Sequence, residues 1–255
     1  MTEPLFDAHF HIIDPRFPLV SNQGYLPPAF PIEAYRREAE TLCITGGALV
    51  TASFQGFDQA YLLDALPALG PSFVGVCQIA PETSDEEILS LHTAGVRALR
   101  FNLRRGTAAS LDEIERLARR ASDLAGWHAE FYLDAALLEE IGPTLRALPQ
   151  VVIDHLGLSQ AGLPQLLRLA EGGAKVKATG FGRVDLDLET ALPALAAANP
   201  TALMFGSDLP STRAPRPFDP DDIALIRRVL SPTEAQAALH DNAFALYCGQ
   251  AASSR

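Results

Sequence analysis

His9 and His11 stand one residue apart at the close of the first apolar stretch, Leu5-Phe-Asp-Ala-His-Phe-His11. Imidazole is the side chain whose proton moves most easily near neutral pH, and it is the commonest metal ligand. Residues i and i+2 of a strand point to the same side, so both rings are expected to converge on one pocket at the strand's end. Such a pair can shuttle protons, polarise a carbonyl or hold a metal, provided later segments bring partners to the same place. Partners of the right types recur downstream, each at the end of an apolar run: Ser53; Arg100 with Arg104 and Arg105; Asp154 and His155; Arg183; and Asp208, just before Leu209-Pro210.

Residues spread over some 200 positions meet only if the chain returns to one place repeatedly. Short β-branched or apolar runs do recur, at Leu5–His9, Ala48–Phe54, Phe73–Ala80, Val96–Leu103, His128–Asp134, Val151–His155, Lys175–Thr179 and Ala202–Ser207. Several are continuously apolar, as expected of strands buried on both faces. Helical patterns alternate with them. Ser84-Asp-Glu-Glu87 and Ser110-Leu-Asp-Glu113 fit capping boxes, and Ser231-Pro-Thr-Glu234 adds proline at the first helical position. From Leu111 onward, Ile114, Leu117, Ala118 and Ala121 recur at helical spacing.

Eight strand–helix alternations in 255 residues predict a (β/α)8 TIM barrel, one domain over 1–255. A doubly wound sheet usually carries a Gly-rich phosphate turn after its first strand; here that place holds His9-Phe-His11. In a barrel the site lies at the C-terminal ends of the strands, where the residues named above fall. His92 and His240 are assigned to helices and His128 to the start of its strand, so all three read as structural.

Bulk composition narrows the partners. A net charge of −11 argues against nucleic acid and anionic membrane surfaces, and no apolar run approaches the roughly 20 residues that span a bilayer. Cys43, Cys77 and Cys248 are far apart and form no C-x-x-C pair. That usage, with no signal-like segment at the N-terminus, points to a reducing cytoplasm. The expected partner is a small molecule, bound by a monomer or homodimer.

Taken together, Asp7-x-His9-x-His11, Asp154-His155-x-Gly157 and Gly206-Ser-Asp208-x-Pro210 resemble the amidohydrolase superfamily, and within it the 2-pyrone-4,6-dicarboxylate lactonases and related amidohydrolase-2 proteins. The resemblance runs from Asp7 to Tyr247 and takes in Val96–Leu103 and Asp241-Asn-Ala243. It implies a hydrolase in which Asp208 is the general base and His9, His11 and His155 surround the scissile carbonyl. Arg100, Arg183 and Ser53 would hold substrate carboxylates, with Tyr25 contributed by the first long loop.

Two departures stand out. An arginine often found after the strand-6 glycine is Leu158 here, and a second strand-4 loop arginine falls near Gly106, leaving Arg104 or Arg105 to replace it. Fewer or differently placed substrate carboxylates are therefore expected. Metal-dependent members usually add a strand-5 histidine, and binuclear ones a strand-4 lysine; this chain has Asp134 and Asn102 near those places. Hydrolysis without a cofactor is the expectation. The alternatives are a mononuclear zinc hydrolase or decarboxylase using His9, His11 and Asp208, and a non-catalytic binder of small carboxylates.

Overall fold

A computed structural model describes residues 3–105 and 110–249. Eight parallel strands follow one another in the order of the chain: β1 (Leu5–Phe10), β2 (Ile44–Val50), β3 (Phe73–Cys77), β4 (Val96–Asn102), β5 (His128–Tyr132), β6 (Val151–Ile153), β7 (Lys175–Ala178) and β8 (Leu203–Phe205). The last strand returns to the first. Asp208 N donates to His9 O at 2.7 Å and His11 N to Leu209 O at 2.8 Å, so the sheet curls into a (β/α)8 barrel.

Seven helices occupy the gaps between strands: α1 (Ile32–Leu42), α2 (Ala60–Leu69), α3 (Asp85–Thr93), α4 (Leu111–Ala125), α5 (Leu138–Arg146), α6 (Leu163–Glu171) and α7 (Leu188–Ala198). After β8 come α8 (Asp221–Val229), α9 (Pro232–Gln236) and α10 (Asn242–Cys248). All three capping boxes form, each serine accepting from the backbone of its partner glutamate. The α4 stripe of Ile114, Leu117, Ala118 and Ala121 is buried.

Two apolar layers result. One large cluster lies between sheet and helices; a second, with Phe6, Ala8, Ala48, Val50, Val74, Val76, Ala98, Val152 and Met204, fills the lower barrel. Tyr247 of α10 closes that end, stacked on Phe6 at 5.9 Å between ring centroids.

One strand lies earlier than the sequence pattern predicts. The expected run Ala48–Phe54 is instead Ile44–Val50, followed by a 3-10 turn over Ser53–Gln55. Gly46 and Gly47, which resemble a loop, are in the strand because neighbours crowd it. A Cβ on Gly46 would sit 2.7 Å from Ser72 O, and one on Gly47 2.6 Å from Asp7 O. The other strands coincide with their expected runs, several ending one to three residues sooner. His240 lies in a π-helical turn, Ala237–Asp241, between α9 and α10.

Candidate active site

β1 delivers the histidine pair as its pattern requires. Their ring centroids are 5.0 Å apart at 89°, and both side chains are buried. His11 Nδ1 donates to Val50 O at 2.7 Å, which in the neutral ring leaves Nε2 as an acceptor. That Nε2 faces Asp208 Oδ1 at 3.6 Å, and His9 Nε2 faces the same oxygen at 3.8 Å. His155 stands beside them, its ring 4.8 Å from that of His9. Tyr132 packs edge-on against His155, with 5.0 Å between centroids.

The backbone is shaped to hold these groups. His155 and Asp208 both adopt positive φ, 50° and 57°, a sparsely populated region for such residues that recurs at functional sites. Asp7 fixes the β8 end. Its carboxylate accepts from Ser207 N at 2.8 Å and Ser207 Oγ at 2.6 Å, and from Tyr35 OH at 3.2 Å. Burial pushes Asp7 up to about 6 despite those bonds. Gly180, with φ +64°, makes room on the β7 side: a Cβ there would lie 2.7 Å from His155 Nδ1 and 3.0 Å from Arg183.

Charge is distributed unevenly around the histidines. Arg183 donates to Asp208 Oδ2 and, at 3.0 Å, to Thr212 O. Although burial opposes ionisation, Arg183 and the neighbouring histidines hold the Asp208 carboxyl well below the usual range. Burial lowers His155 to about 3 and depresses His9 strongly. Both rings are therefore neutral near pH 7, and the Arg183 guanidinium sets a positive charge against Asp208.

Beneath the rim lies a buried polar column. Arg100 Nε donates to Asp154 Oδ2 at 2.9 Å. Lys177 Nζ bonds Glu130 Oε2, approaches His9 Nδ1 at 3.3 Å and lies 3.5 Å from Asp154 Oδ1. Glu130 Oε1 accepts from His128 Nε2 at 3.0 Å and from Tyr247 OH.

A pocket of about 380 Å³, counting space open to solvent, is lined by His11, Ser53, Arg100, Arg105, Tyr132, His155, Arg183, Asp208 and Arg213, among others. His9 is fully buried and outside that lining, and reaches toward it only through Asp208, 3.8 Å from its Nε2. Arg104 is exposed and stays outside the lining, so Arg105 is the strand-4 loop arginine that reaches the pocket. Tyr25 is also outside it; its ring carries the Arg213 guanidinium at 4.4 Å. Gly106 lies outside the described residues. Arg213, Lys177 and Glu130 are absent from the sequence-derived set. Arg213 sits in the proline-rich segment after Asp208, where an arginine beside the strand-8 acid was the available signal.

One ligand atom each from His9, His155 and Asp208 fall within 4.8 Å of one another, the spacing of a possible metal site. The hydrogen bonding around it is divided. A metal on His9 Nε2 needs the ring proton on Nδ1; of the two neighbours of Nδ1 at 3.3 Å, Lys177 Nζ is a donor and opposes that tautomer, whereas Asp154 Oδ1 would accept from it. Asp208 is also already engaged by Arg183.

The family model described as Amidohydrolase matches residues 6–248, and the chain belongs to that family. It is 34% identical over 157 residues to the 2-pyrone-4,6-dicarboxylate hydrolase of Comamonas testosteroni, covering 59% of this chain and 51% of that protein. The match thus spans about half the length of that relative. To the 4-sulfomuconolactone hydrolase of Rhizobium radiobacter it is 28% identical, over 84% of this chain and 77% of the relative. Among solved structures, a candidate 2-pyrone-4,6-dicarboxylic acid hydrolase from Pseudomonas putida superposes with a TM-score of 0.82 at 27% identity, covering 95% of this chain and 97% of the other. Among the described residues, no helix is long and apolar enough to cross a membrane.

Proposed function

We propose that this protein hydrolyses a small, carboxylate-bearing lactone, with Asp208 as base and no metal. One observation carries the reading: Asp208, His11 and His155 share a pocket with four arginines, Arg100, Arg105, Arg183 and Arg213. Guanidinium forks match carboxylates in a two-pronged geometry, so the pocket suits an anionic ester. The Comamonas and Rhizobium relatives are named for anionic lactones.

His11 Nε2 and Asp208 Oδ1, two acceptors 3.6 Å apart, suit one water that donates to both. Its lone pair attacks the lactone carbonyl while its proton passes to Asp208. His9 and His155, as neutral rings, donate hydrogen bonds to the developing oxyanion. The acyl–oxygen bond then breaks: Asp208 returns its proton to the leaving oxygen, and the water oxygen remains in a new carboxylic acid, whose remaining proton is released to solvent. A substrate carboxylate that draws Arg183 toward itself raises the basicity of Asp208 as it binds. Holding the substrate this way lowers the entropic part of the barrier.

A panel of carboxylated lactones, assayed by acid release with and without chelator, tests this reading. Chelator-resistant turnover supports it, and binding without turnover across the panel overturns it. The second reading, a zinc hydrolase or decarboxylase, is favoured by the 4.8 Å cluster of His9, His155 and Asp208. Stoichiometric metal in the purified protein and loss of activity to chelator would establish it.

A further inference from the structure

We propose that Lys177 is a positioning residue that fixes the tautomer of His9, placing the ring proton on Nε2 where it faces Asp208 and the pocket. His9 Nδ1 has two polar neighbours at 3.3 Å, Lys177 Nζ and Asp154 Oδ1. They demand opposite tautomers: the lysine donates to Nδ1, whereas the carboxylate would accept from Nδ1–H. The Lys177 contact has the better hydrogen-bond geometry, while Asp154 Oδ1 acts on the ring chiefly through its charge. Asp154 Oδ1 is among the buried oxygens with no hydrogen-bond partner, while its Oδ2 is held by Arg100 at 2.9 Å.

Lys177 is itself held in place. Its ammonium bonds Glu130 Oε2, and Glu130 is fixed through its other oxygen by His128 and Tyr247. All these side chains are almost wholly removed from solvent, so bulk water is kept from the donor. A chain of bonds therefore runs from the barrel floor at Tyr247 to the underside of His9, and its last link decides which ring nitrogen carries the proton.

The consequence appears on the pocket side. His9 Nε2 is buried, 3.8 Å from Asp208 Oδ1 and without a hydrogen-bond partner. With Nδ1 accepting from Lys177, Nε2 becomes an unspent donor. It is available to a substrate oxyanion and closed to a metal, which needs a lone pair there. The catalytic half of this inference rests on the hydrolytic reading above; the tautomer itself does not.

The test is a long-range proton–nitrogen correlation spectrum of 15N-histidine-labelled protein, with His9 assigned by its loss in His9→Asn. The wild type is expected to show a protonated Nε2 and a bare Nδ1. In Lys177→Met, Nδ1 turns to Asp154 and the pattern reverses. Where Lys177→Met does not fold because Glu130 is left unpaired, the double variant Lys177→Met/Glu130→Gln removes both charges and gives the same readout. On the lactone found in the panel, kcat is expected to fall about 100-fold, the loss of one oriented donor, with KM within about threefold. A wild-type His9 protonated on Nδ1 overturns the proposal, as does a tautomer unchanged in both variants. A reversed tautomer with unchanged kcat overturns its catalytic half. If no lactone is turned over, the hydrolytic reading fails, and the spectrum still decides the tautomer.

Discussion

At the floor of the barrel, both oxygens of Glu130 are bonded, Oε1 by His128 and Tyr247 and Oε2 by Lys177. A few ångströms above, the rim is built the other way. His9 Nε2, His155 Nδ1, Thr179 Oγ1 and Arg183 Nε are buried and have no hydrogen-bond partner among the described residues. A buried polar atom left unpaired costs about 1–3 kcal/mol. Charged groups are equally buried in both regions, so burial alone does not separate structure from function. Satisfaction separates them at Glu130: both of its oxygens are paired by the protein itself, whereas these four rim atoms are left open. Substitutions at the rim should thus reduce activity more than stability, and floor substitutions that leave Lys177 in place the reverse.

Asp208→Asn tests the rim most severely. It keeps the shape and removes the base, so turnover should fall by roughly three powers of ten, within the range for general-base catalysis. The urea unfolding midpoint should move little. Equal losses of activity and stability would dissolve the distinction between the regions. His9→Ala should reduce turnover by about two to three powers of ten. A loss below threefold would remove His9 from the machinery.

Gly180→Ala probes the rim without replacing a charged group. The new methyl would lie 2.7 Å from His155 Nδ1, in a backbone conformation costing an L-residue roughly 1–2 kcal/mol. Turnover should drop at least tenfold as the ring and Arg183 shift. Wild-type kinetics would mean that His155 needs no such fixed place.

Most of the rim was legible in the sequence, for a geometric reason. Strand ends of a barrel converge, so His9, His11, His155, Asp208, Arg100 and Arg183 had to meet once the eight runs were recognised. Loop positions lacked that constraint. Tyr25 was implied by resemblance, and Arg104 was an alternative to Arg105; the fold sets them behind Arg213 and in solvent. Of the floor, only His128 was legible, as a structural residue at the start of its strand. Lys177 lies in Lys-Val-Lys, which reads as a half-exposed strand, and its partner Glu130 is 47 residues away. Only the closed barrel shows that both face inward. The β2 shift has a similar origin: nothing in Gly46-Gly47 announces the close neighbours that require glycine there.

The pH dependence of stability sharpens the contrast. His155 falls from 6.5 to about 3 on folding because burial disfavours its charged form. Between those values the unfolded chain binds the proton and the folded protein does not. Stability contributed by this ring is thus complete above pH 6.5 and is lost as pH falls, by about 1.4 kcal/mol per unit. From pH 7 to pH 5 the expected loss is about 2 kcal/mol, read from urea unfolding. His155→Gln should abolish that share of the slope. An identical slope in the variant would show that the neutral ring is not a rim property.

The mildest substitution bears on the floor. Tyr247→Phe deletes one donor to Glu130 Oε1, but His128 still reaches the same oxygen at 3.0 Å, and the ring still stacks on Phe6. No charge is stranded, so the loss should be that of a single hydrogen bond to a charged group, about 1.5–3 kcal/mol. Lys177 remains held by Glu130 Oε2, and with it the tautomer of His9. Turnover should therefore stay within about twofold while the unfolding midpoint falls. If turnover falls in proportion to stability, the floor is part of the catalytic apparatus rather than its foundation, and the two ends of the column are one functional unit.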